Sequence, residues 1–341
     1  MSKFMRVLLL NLAMLMCFSA IGCGKDDGTA PTSAPSADVQ TDVPTEAPTE
    51  EPIPVEGEGA VLYQVAVKNA LTMSYVIHTK NNKIIVIDGG GDSAAIPTQE
   101  INELLRVLRS ATGQQVPTID AWILTHCHSD HVNAFSHMLT NMSNMINVGK
   151  VYYNFPSDNY LYNAGMKNEP TSTLNKFKAA IATLDKDQIV IVEQGASYTV
   201  DNVTFNVLLT PDETITDAIF LSNAINESSI MFDMKLGGQR VLFLGDLGPY
   251  SSSRFRNAMK NSESEHADVV QMAHHGSQGI KKEYYWTLRP KVCLWPSPTF
   301  MWAPENQAGG GGSLALETQA VYDFLVSKGV TEHYMMKDGS I

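Results

Sequence analysis

Thr125-His126-Cys127-His128-Ser129-Asp130-His131 follows directly on the apolar run Ala121-Trp122-Ile123-Leu124. The run predicts a buried strand, and its carboxyl end carries a dense set of metal-capable side chains. On an extended segment His126 and His128 alternate by two, so both imidazoles face one side. Asp130 and His131 fall where the chain turns into a helix expected over Val132 to Met145, and from there they can reach a second ion beside the first. The geometry suits two ions sharing one site, roughly 3.5 to 4 Å apart. One cluster cannot complete such a centre, so other parts of the chain must supply the missing donors.

Three further stretches have the same design. Ile84-Ile85-Val86-Ile87 ends in Asp88-Gly89-Gly90-Gly91, an apolar strand closing on an acid and a flexible loop. Asp88 either orients a metal-bound histidine from outside the donor set or serves as a turn residue. Val241-Leu242-Phe243-Leu244 delivers Gly245-Asp246, the rigid placement that a carboxylate bridging two ions needs. Val269-Val270-Gln271-Met272-Ala273 leads to His274-His275-Gly276-Ser277. Clusters at the carboxyl ends of several strands converge in space when those ends share one rim of a sandwich.

Around these motifs the chain alternates strands and helices from about Gly59. Strands are expected at Val61 to Val67, Ser74 to His78, Lys83 to Ile87, Val151 to Phe155, Val203 to Leu209, Ser229 to Met234, Arg240 to Leu244, Val292 to Trp295 and His333 to Met336. Ile101, Leu104, Leu105 and Leu108 have helical spacing, and further helices are expected at Thr173 to Leu184, Arg254 to Lys260, Lys281 to Leu288 and Leu316 to Val326. Gly237-Gly238 turns two strands into a hairpin. Grouped strands with helices interleaved imply two mixed sheets packed face to face and covered by helices.

The order IVIDGG, THCHSDH, FLGD and HHGS resembles the metallo-β-lactamase-fold hydrolases over roughly residues 60 to 341. Within that superfamily, Asn226-Glu227-Ser228-Ser229-Ile230, the glycine hairpin, LFLGDLG and DVVQMAHHGS resemble the hydrolase domain of the DNA-uptake protein ComEC. They are also similar to the surface phosphorylcholine esterases. The resemblance implies an α+β fold, a four-layer αββα sandwich, holding two zinc ions, with manganese or iron as alternatives. By it His126 and His128 hold one ion, Asp130 and His131 the other, and Asp246 bridges them, with His274, His275 or both completing the shells. Many members place another histidine about twenty residues before the bridging aspartate; here that region holds Asn223 and Asn226. Either an asparagine stands in, the histidine doublet supplies the extra ligand, or one ion is loosely held, and the doublet is the expectation. Val132-Asn133-Ala134 also replaces the glycine pair that often follows the motif.

Two ions with an open position bring the pKa of bound water toward neutrality. The expected reaction is in-line attack by that hydroxide on a phosphodiester, with Asp88, Asp130 and Asp246 as the carboxylates of the catalytic centre. Asn226, Ser229 or Ser277 can donate to a non-bridging substrate oxygen, and each serves equally well as a loop residue. Phe300, Met301, Trp302 and the run Gly309 to Gly312 either border the cleft, where an aromatic wall receives a choline cation or stacks a base, or cover the core. Tyr160, Tyr162 and Met166 are open to the same two readings. The substrate expected is a small-molecule or cell-surface phosphodiester. Two other readings use the same scaffold: a zinc hydrolase of carbon esters such as a lactone, thioester or β-lactam, and a non-catalytic surface binding protein.

The N-terminal residues set the location. Lys3 and Arg6 precede the apolar run Val7 to Ala20, which closes on Ala20-Ile21-Gly22-Cys23. This has the pattern of a secretory signal over residues 1–22, with small residues before a cysteine resembling a bacterial lipobox. Cys23 would carry the lipid, which places the protein outside the cytoplasm, anchored to the bacterial cell membrane. Residues 23–58 then form a Pro/Thr/Glu-rich tether that has too little apolar surface to fold, and residues 59–341 form the hydrolase domain. From Gly24 to Glu58 the tether carries nine acids and one lysine, and the leader two basic residues, so the domain has a net charge of −6 within the chain's −12. Such a domain lacks a general electrostatic grip on long nucleic acids. Of four cysteines only Cys127 and Cys293 lie in the domain, too few for a disulfide framework.

Overall fold

A run such as Ile84–Ile87, apolar at every position, suits a strand covered on both faces, and all four of its residues are buried. The computed structural model describes residues 55–91, 97–161, 171–214, 224–311 and 314–341. The expected signal, Cys23, most of the tether, Tyr162, Met166 and Asn223 lie outside them. One six-stranded sheet is formed, in order, by β1 (Val61–Gln64), β2 (Tyr75–His78), β3 (Ile84–Ile87), β4 (Thr118–Ile123), β5 (Asn147–Tyr153) and β6 (Ile189–Ile191). A seven-stranded sheet follows the chain from β7 (Ser197–Val200) through β8 (Val203–Leu209), β9 (Met231–Leu236), β10 (Gln239–Phe243), β11 (Val269–Gln271) and β12 (Val292–Trp295) to β13 (Glu332–Met335).

Both sheets are mixed, and they change direction at equivalent places. β1 to β3 pair antiparallel and β3 to β6 parallel. β7 to β10 pair antiparallel and β10 to β13 parallel. The switch therefore falls at β3, which runs into Asp88, and at β10, which runs toward Asp246.

The helices are α1 (Thr98–Thr112), α2 (Ser129–Asn141), α3 (Asp158–Tyr160), α4 (Thr171–Ile181), α5 (Ala224–Glu227), α6 (Ser252–Asn261), α7 (Lys282–Thr287) and α8 (Thr318–Ser327). Because side chains alternate across a strand, each sheet feeds two cores. Tyr75, Ile85, Ile87 and Ile123 meet Phe205, Phe232, Met234 and Phe243 between the sheets. The opposite face of the first sheet, including Val86, Trp122 and Leu124, packs on Leu104, Leu108, Phe135 and Met138 of α1 and α2. Leu242, Leu244, Val270 and Trp295 pack on Phe255, Met259, Tyr285 and Leu325 of the helices on the other side. The result is two mixed sheets flanked by helices, the αββα sandwich expected from the motifs. Among the described residues, no helix is long and apolar enough to cross a membrane.

Candidate metal centre

Asp88 ends β3 with a left-handed backbone, φ 54°, which turns its carboxylate onto the end of the neighbouring β4. One oxygen accepts the Thr125 backbone N–H at 2.8 Å; the other accepts the Thr125 hydroxyl at 2.9 Å and pairs with His131 Nδ1 at 2.8 Å. His131 is thereby held in one orientation with Nε2 facing the interior. Gly89 lets α2 close on this corner: a Cβ there would lie 2.6 Å from the Phe135 backbone nitrogen, and the Gly89 N–H donates to the His131 carbonyl. The acid and the following glycine thus form one device, which clamps the start of α2 against the end of β3.

Helix α2 begins at Ser129, three residues before the expected start at Val132, so Asp130 and His131 sit in its first turn. His126 and His128 precede it on extended backbone, with His126 Nε2 and His128 Nδ1 3.1 Å apart. Two ring nitrogens at that separation need either a proton or a cation between them. His126 is fully buried and His128 partly so.

The second sheet completes the cluster. Gly245 after β10 has φ 53°, and a Cβ there would meet Ser229 and Thr125 at 2.9 to 3.0 Å. Asp246 next to it is buried, its N–H donating to Ser229 Oγ at 3.0 Å. The Gln271 side chain bonds the Leu244 N–H and the Gly245 carbonyl, tying β11 to the same corner. Past β11, His274 and His275 both have left-handed backbones, φ 49° and 55°, a strained conformation of the kind that collects at functional sites. His275 Nδ1 pairs with the Pro296 carbonyl at 2.6 Å, leaving Nε2 2.9 Å from Asp130 Oδ2 and 3.7 Å from Asp246 Oδ2.

Two donor groups result, each with its ligand atoms within 4.8 Å of one another: Asp130, His131, Asp246 and His275, and His126, His128 and Asp246. Asp246 belongs to both. His131 Nε2 and Asp246 Oδ1 are buried without a hydrogen-bond partner, although His131 Nε2 lies 3.3 Å from the other oxygen of Asp246. Buried polar atoms in native proteins are almost always satisfied, so imidazole and carboxylate atoms aimed at one point fit divalent cations. The expected residues His126, His128, Asp130, His131, Asp246 and His275 are all brought together, with Asp88 behind His131. His274 is outside both groups.

The charges of the two groups differ. Burial holds His126 well below its ordinary pKa and His128 below it, and for His126 the positive charge of His131 adds to the effect. Burial also opposes protonation of His131 and His275, but the Asp246 carboxylate and neighbouring acids outweigh it, raising both. Asp130 and Asp246 are pushed up by burial yet end below the ordinary carboxylate range, chiefly because His131 faces them. The surroundings thus favour the neutral form of His126 and His128 and the protonated form of His131 and His275.

Residues 69–220 match the family model of the metallo-beta-lactamase superfamily. Over that stretch the chain resembles a metallo-β-lactamase domain. The chain is similar to ComE operon protein 3 of Bacillus subtilis (strain 168), with 25% identity over 187 residues that make up 54% of this chain and 20% of that protein. The chain therefore spans about a fifth of the length of that curated relative. Among solved structures it is similar to CmlA, a diiron β-hydroxylase from Streptomyces venezuelae, at TM-score 0.45 and 13% identity, covering 84% of this chain and 54% of that one. It is also similar to the metallo-β-lactamase fold protein YhfI from Bacillus subtilis, at TM-score 0.45 and 12% identity, covering 82% of this chain and 98% of that one.

Several expected substrate contacts have other partners. Ser229 is fully buried and its hydroxyl accepts from Asp246; Ser277, also buried, accepts the Glu317 N–H at 2.9 Å. The Ser229 hydroxyl thus supports the backbone of Asp246, and the Ser277 hydroxyl ties the loop after His275 to Glu317. Asn226 is buried with Oδ1 unpartnered. Met301 and Trp302 cover the core, and the Trp302 ring already receives a cation, Lys337 Nζ, 4.3 Å from its centroid. Phe300 remains partly exposed, while Tyr160 is buried. Cys127 and Cys293 are buried thiols. Three contributors had no assigned role in the motifs: Thr125, which bonds Asp88; the Pro296 carbonyl, which orients His275; and Glu227, whose carboxylate accepts the Tyr250 and Ser251 N–H groups in the loop after Asp246. Thr125 and Glu227 sit inside recognisable motifs; nothing in the sequence marks a backbone carbonyl. A groove of about 810 Å³ is lined by Gly276, next in sequence to His275, and by Pro249, Tyr250, Gln278, Lys281 and Gln307, with none of the donor residues in its wall.

Proposed function

We propose that this metallo-β-lactamase domain is a metal-dependent phosphodiesterase, exported and held at the membrane through Cys23. The observation that carries the catalytic reading is the pair of donor groups sharing Asp246. Two bound divalent ions would supply a water-derived nucleophile near neutral pH and offset charge on the attacking and leaving oxygens of an in-line displacement. Zinc is the expected ion. His126, His128 and Asp246 would hold one ion, and Asp130, His131, His275 and Asp246 the other. The protein's own work is placement. Asp88 and the Pro296 carbonyl set the rings of His131 and His275, Ser229 fixes the backbone of Asp246, and the first turn of α2 presents Asp130. The groove lined by Gly276 and Tyr250 is the candidate space for a leaving group. Its lining combines Lys281 and Lys282 with Glu283, Glu317 and Asp323, so it suits a small or zwitterionic diester better than a long polyanion.

The test uses the full-length protein loaded with zinc, and separately with manganese, against bis-p-nitrophenyl phosphate and a simple lactone. Turnover of the diester alone, lost in Asp246→Ala, is expected. Lactone turnover alone would move the assignment to carbon esters, and metal binding without turnover of either would favour a binding protein. For the anchor, Cys23→Ser is expected to shift the protein from the membrane to the soluble fraction. An unchanged membrane fraction would remove the lipid from the proposal.

A further inference from the structure

His131 has a carboxylate behind its ring, whereas His126 has a hydroxyl. Thr125 Oγ1 lies 2.9 Å from Asp88 Oδ2, 3.1 Å from His126 Nδ1 and 3.3 Å from His131 Nδ1. Thr125, Asp88, His126 and His131 are all fully buried, so bulk water does not compete for these contacts.

A threonine hydroxyl offers one proton and two lone pairs, and an ionised carboxylate only accepts. The proton therefore goes to Asp88, whose other oxygen holds the Thr125 backbone N–H at 2.8 Å. Both lone pairs are left for ring nitrogens, and a nitrogen facing them has to bring the hydrogen. His131 commits its Nδ1–H mainly to Asp88, at 2.8 Å. For His126 Nδ1 the hydroxyl is the hydrogen-bond partner, so its Nδ1–H donates to Thr125. Nε2 is then bare, 3.1 Å from His128 Nδ1 and 3.8 Å from Asp246 Oδ2. In the metal-free protein the hydrogen between the two rings comes from His128.

We propose that Thr125 is the positioning residue of the His126 half: its hydroxyl holds the His126 ring in the tautomer that turns a bare Nε2 toward the ion. This deepens the two-ion reading above and rests on it. Without the hydroxyl nothing holds the hydrogen on Nδ1. The ring can then carry it on Nε2, where it donates to His128 Nδ1 and closes that half to a cation. A carboxylate partner raises the basicity of a ligating imidazole, and a neutral hydroxyl does so less, so the His126 half is expected to release its ion first to a chelator.

The experiment combines zinc competition with a chromogenic chelator and heteronuclear NMR of the imidazole nitrogens. It uses the full-length protein as wild type, Thr125→Val, Thr125→Ser, His128→Ala and the double variant Thr125→Val/His128→Ala. In the metal-free wild type His126 is expected to carry its hydrogen on Nδ1, and in Thr125→Val the signal is expected to move toward the Nε2–H form. Thr125→Val is expected to weaken one of the two zinc sites by about 10 to 100-fold, and Thr125→Ser to hold both at wild-type affinity. His128→Ala removes a donor of the His126 half, so the zinc that remains reports the His131 half; adding Thr125→Val there is expected to leave its affinity unchanged. Rescue by serine and a loss confined to one half separate positioning from a general weakening of the corner. A hydrogen on His126 Nε2 in the metal-free wild type would overturn the proposal, whether or not the valine variant folds. Equal weakening of both halves would overturn it too, and make Thr125 a brace for Asp88 alone. A wild type that shows the Nδ1–H form yet binds no zinc would sink the two-ion reading and leave the tautomer assignment standing. If both ions bind as expected while no diester is cleaved, the substrate assignment fails and the role of Thr125 stands.

Discussion

The two donor groups that share Asp246 use the same kinds of side chain but are held differently. In one, His131 and His275 each commit Nδ1 to a fixed oxygen, from Asp88 and Pro296, and both rings are buried. In the other, His126 has the Thr125 hydroxyl 3.1 Å from Nδ1, and His128 is partly exposed. In the first half the facing carboxylates favour protonated rings; in the second, burial favours neutral ones. Rigid support and favoured protonation therefore go together on one side and are weaker on the other.

The largest test removes what the halves share. Asp246→Ala is expected to abolish binding of both ions and reduce turnover to background, read by metal content and diester hydrolysis; retention of either ion would show that the halves do not depend on a common carboxylate. Asp88→Asn should strike one half. Losing the carboxylate behind His131 is expected to weaken that half's metal affinity by about 10 to 100-fold, with the His126 half little changed in a competition titration. Equal weakening of both would erase the distinction.

Gly245→Ala tests the corner beneath both halves. The left-handed backbone and the crowding against Ser229 and Thr125 should cost about 1 to 3 kcal/mol in urea unfolding of the metal-free protein, and an unchanged midpoint would mean that the corner relaxes freely. The smallest expected effect is in pH. His131 and His275 have folded pKa values above the ordinary 6.5, so their contribution to metal-free stability is complete below 6.5 and lost as pH rises through the raised values. Asp130 and Asp246, shifted down from the ordinary 3.8, contribute above that value and lose their contribution as pH falls through the lowered ones. Metal binding at the His131 half therefore releases protons and should strengthen with pH above 6.5, whereas the His126 half should be nearly flat from neutrality upward. Parallel slopes would contradict the charge contrast.

The donor-bearing strand ends were legible because metal chemistry demands uncommon residues at short spacing after apolar runs. Ile84–Ile87 before Asp88 and Val269–Gln271 before the histidine doublet show both signals, and the structure places them as expected. Edge strands were harder to read. β6 and β7, without counterparts in the sequence reading, have mostly partly or fully exposed residues; Ile191 is 52% exposed. A strand with only one neighbour and little core contact lacks the hydrophobic pattern that reveals it. The start of α2 was placed late because its first turn is filled by Ser129, Asp130 and His131, which follow the needs of the site and not helical periodicity. For Ser229 and Ser277 the sequence leaves the role open, because a serine that braces a backbone and a serine that faces a substrate look the same in it; the structure shows the backbone bonds that both hydroxyls accept.

The change from antiparallel to parallel pairing occurs once in each sheet, next to Asp88 and next to Asp246, and this splits the donors between the two parts of the chain. His126 to His131 are synthesised well before Asp246 and His275, and neither set alone encloses an ion. Docking of the two sheets must therefore come before capture. The unit able to hold an ion is therefore the assembled domain and none of its motifs taken singly.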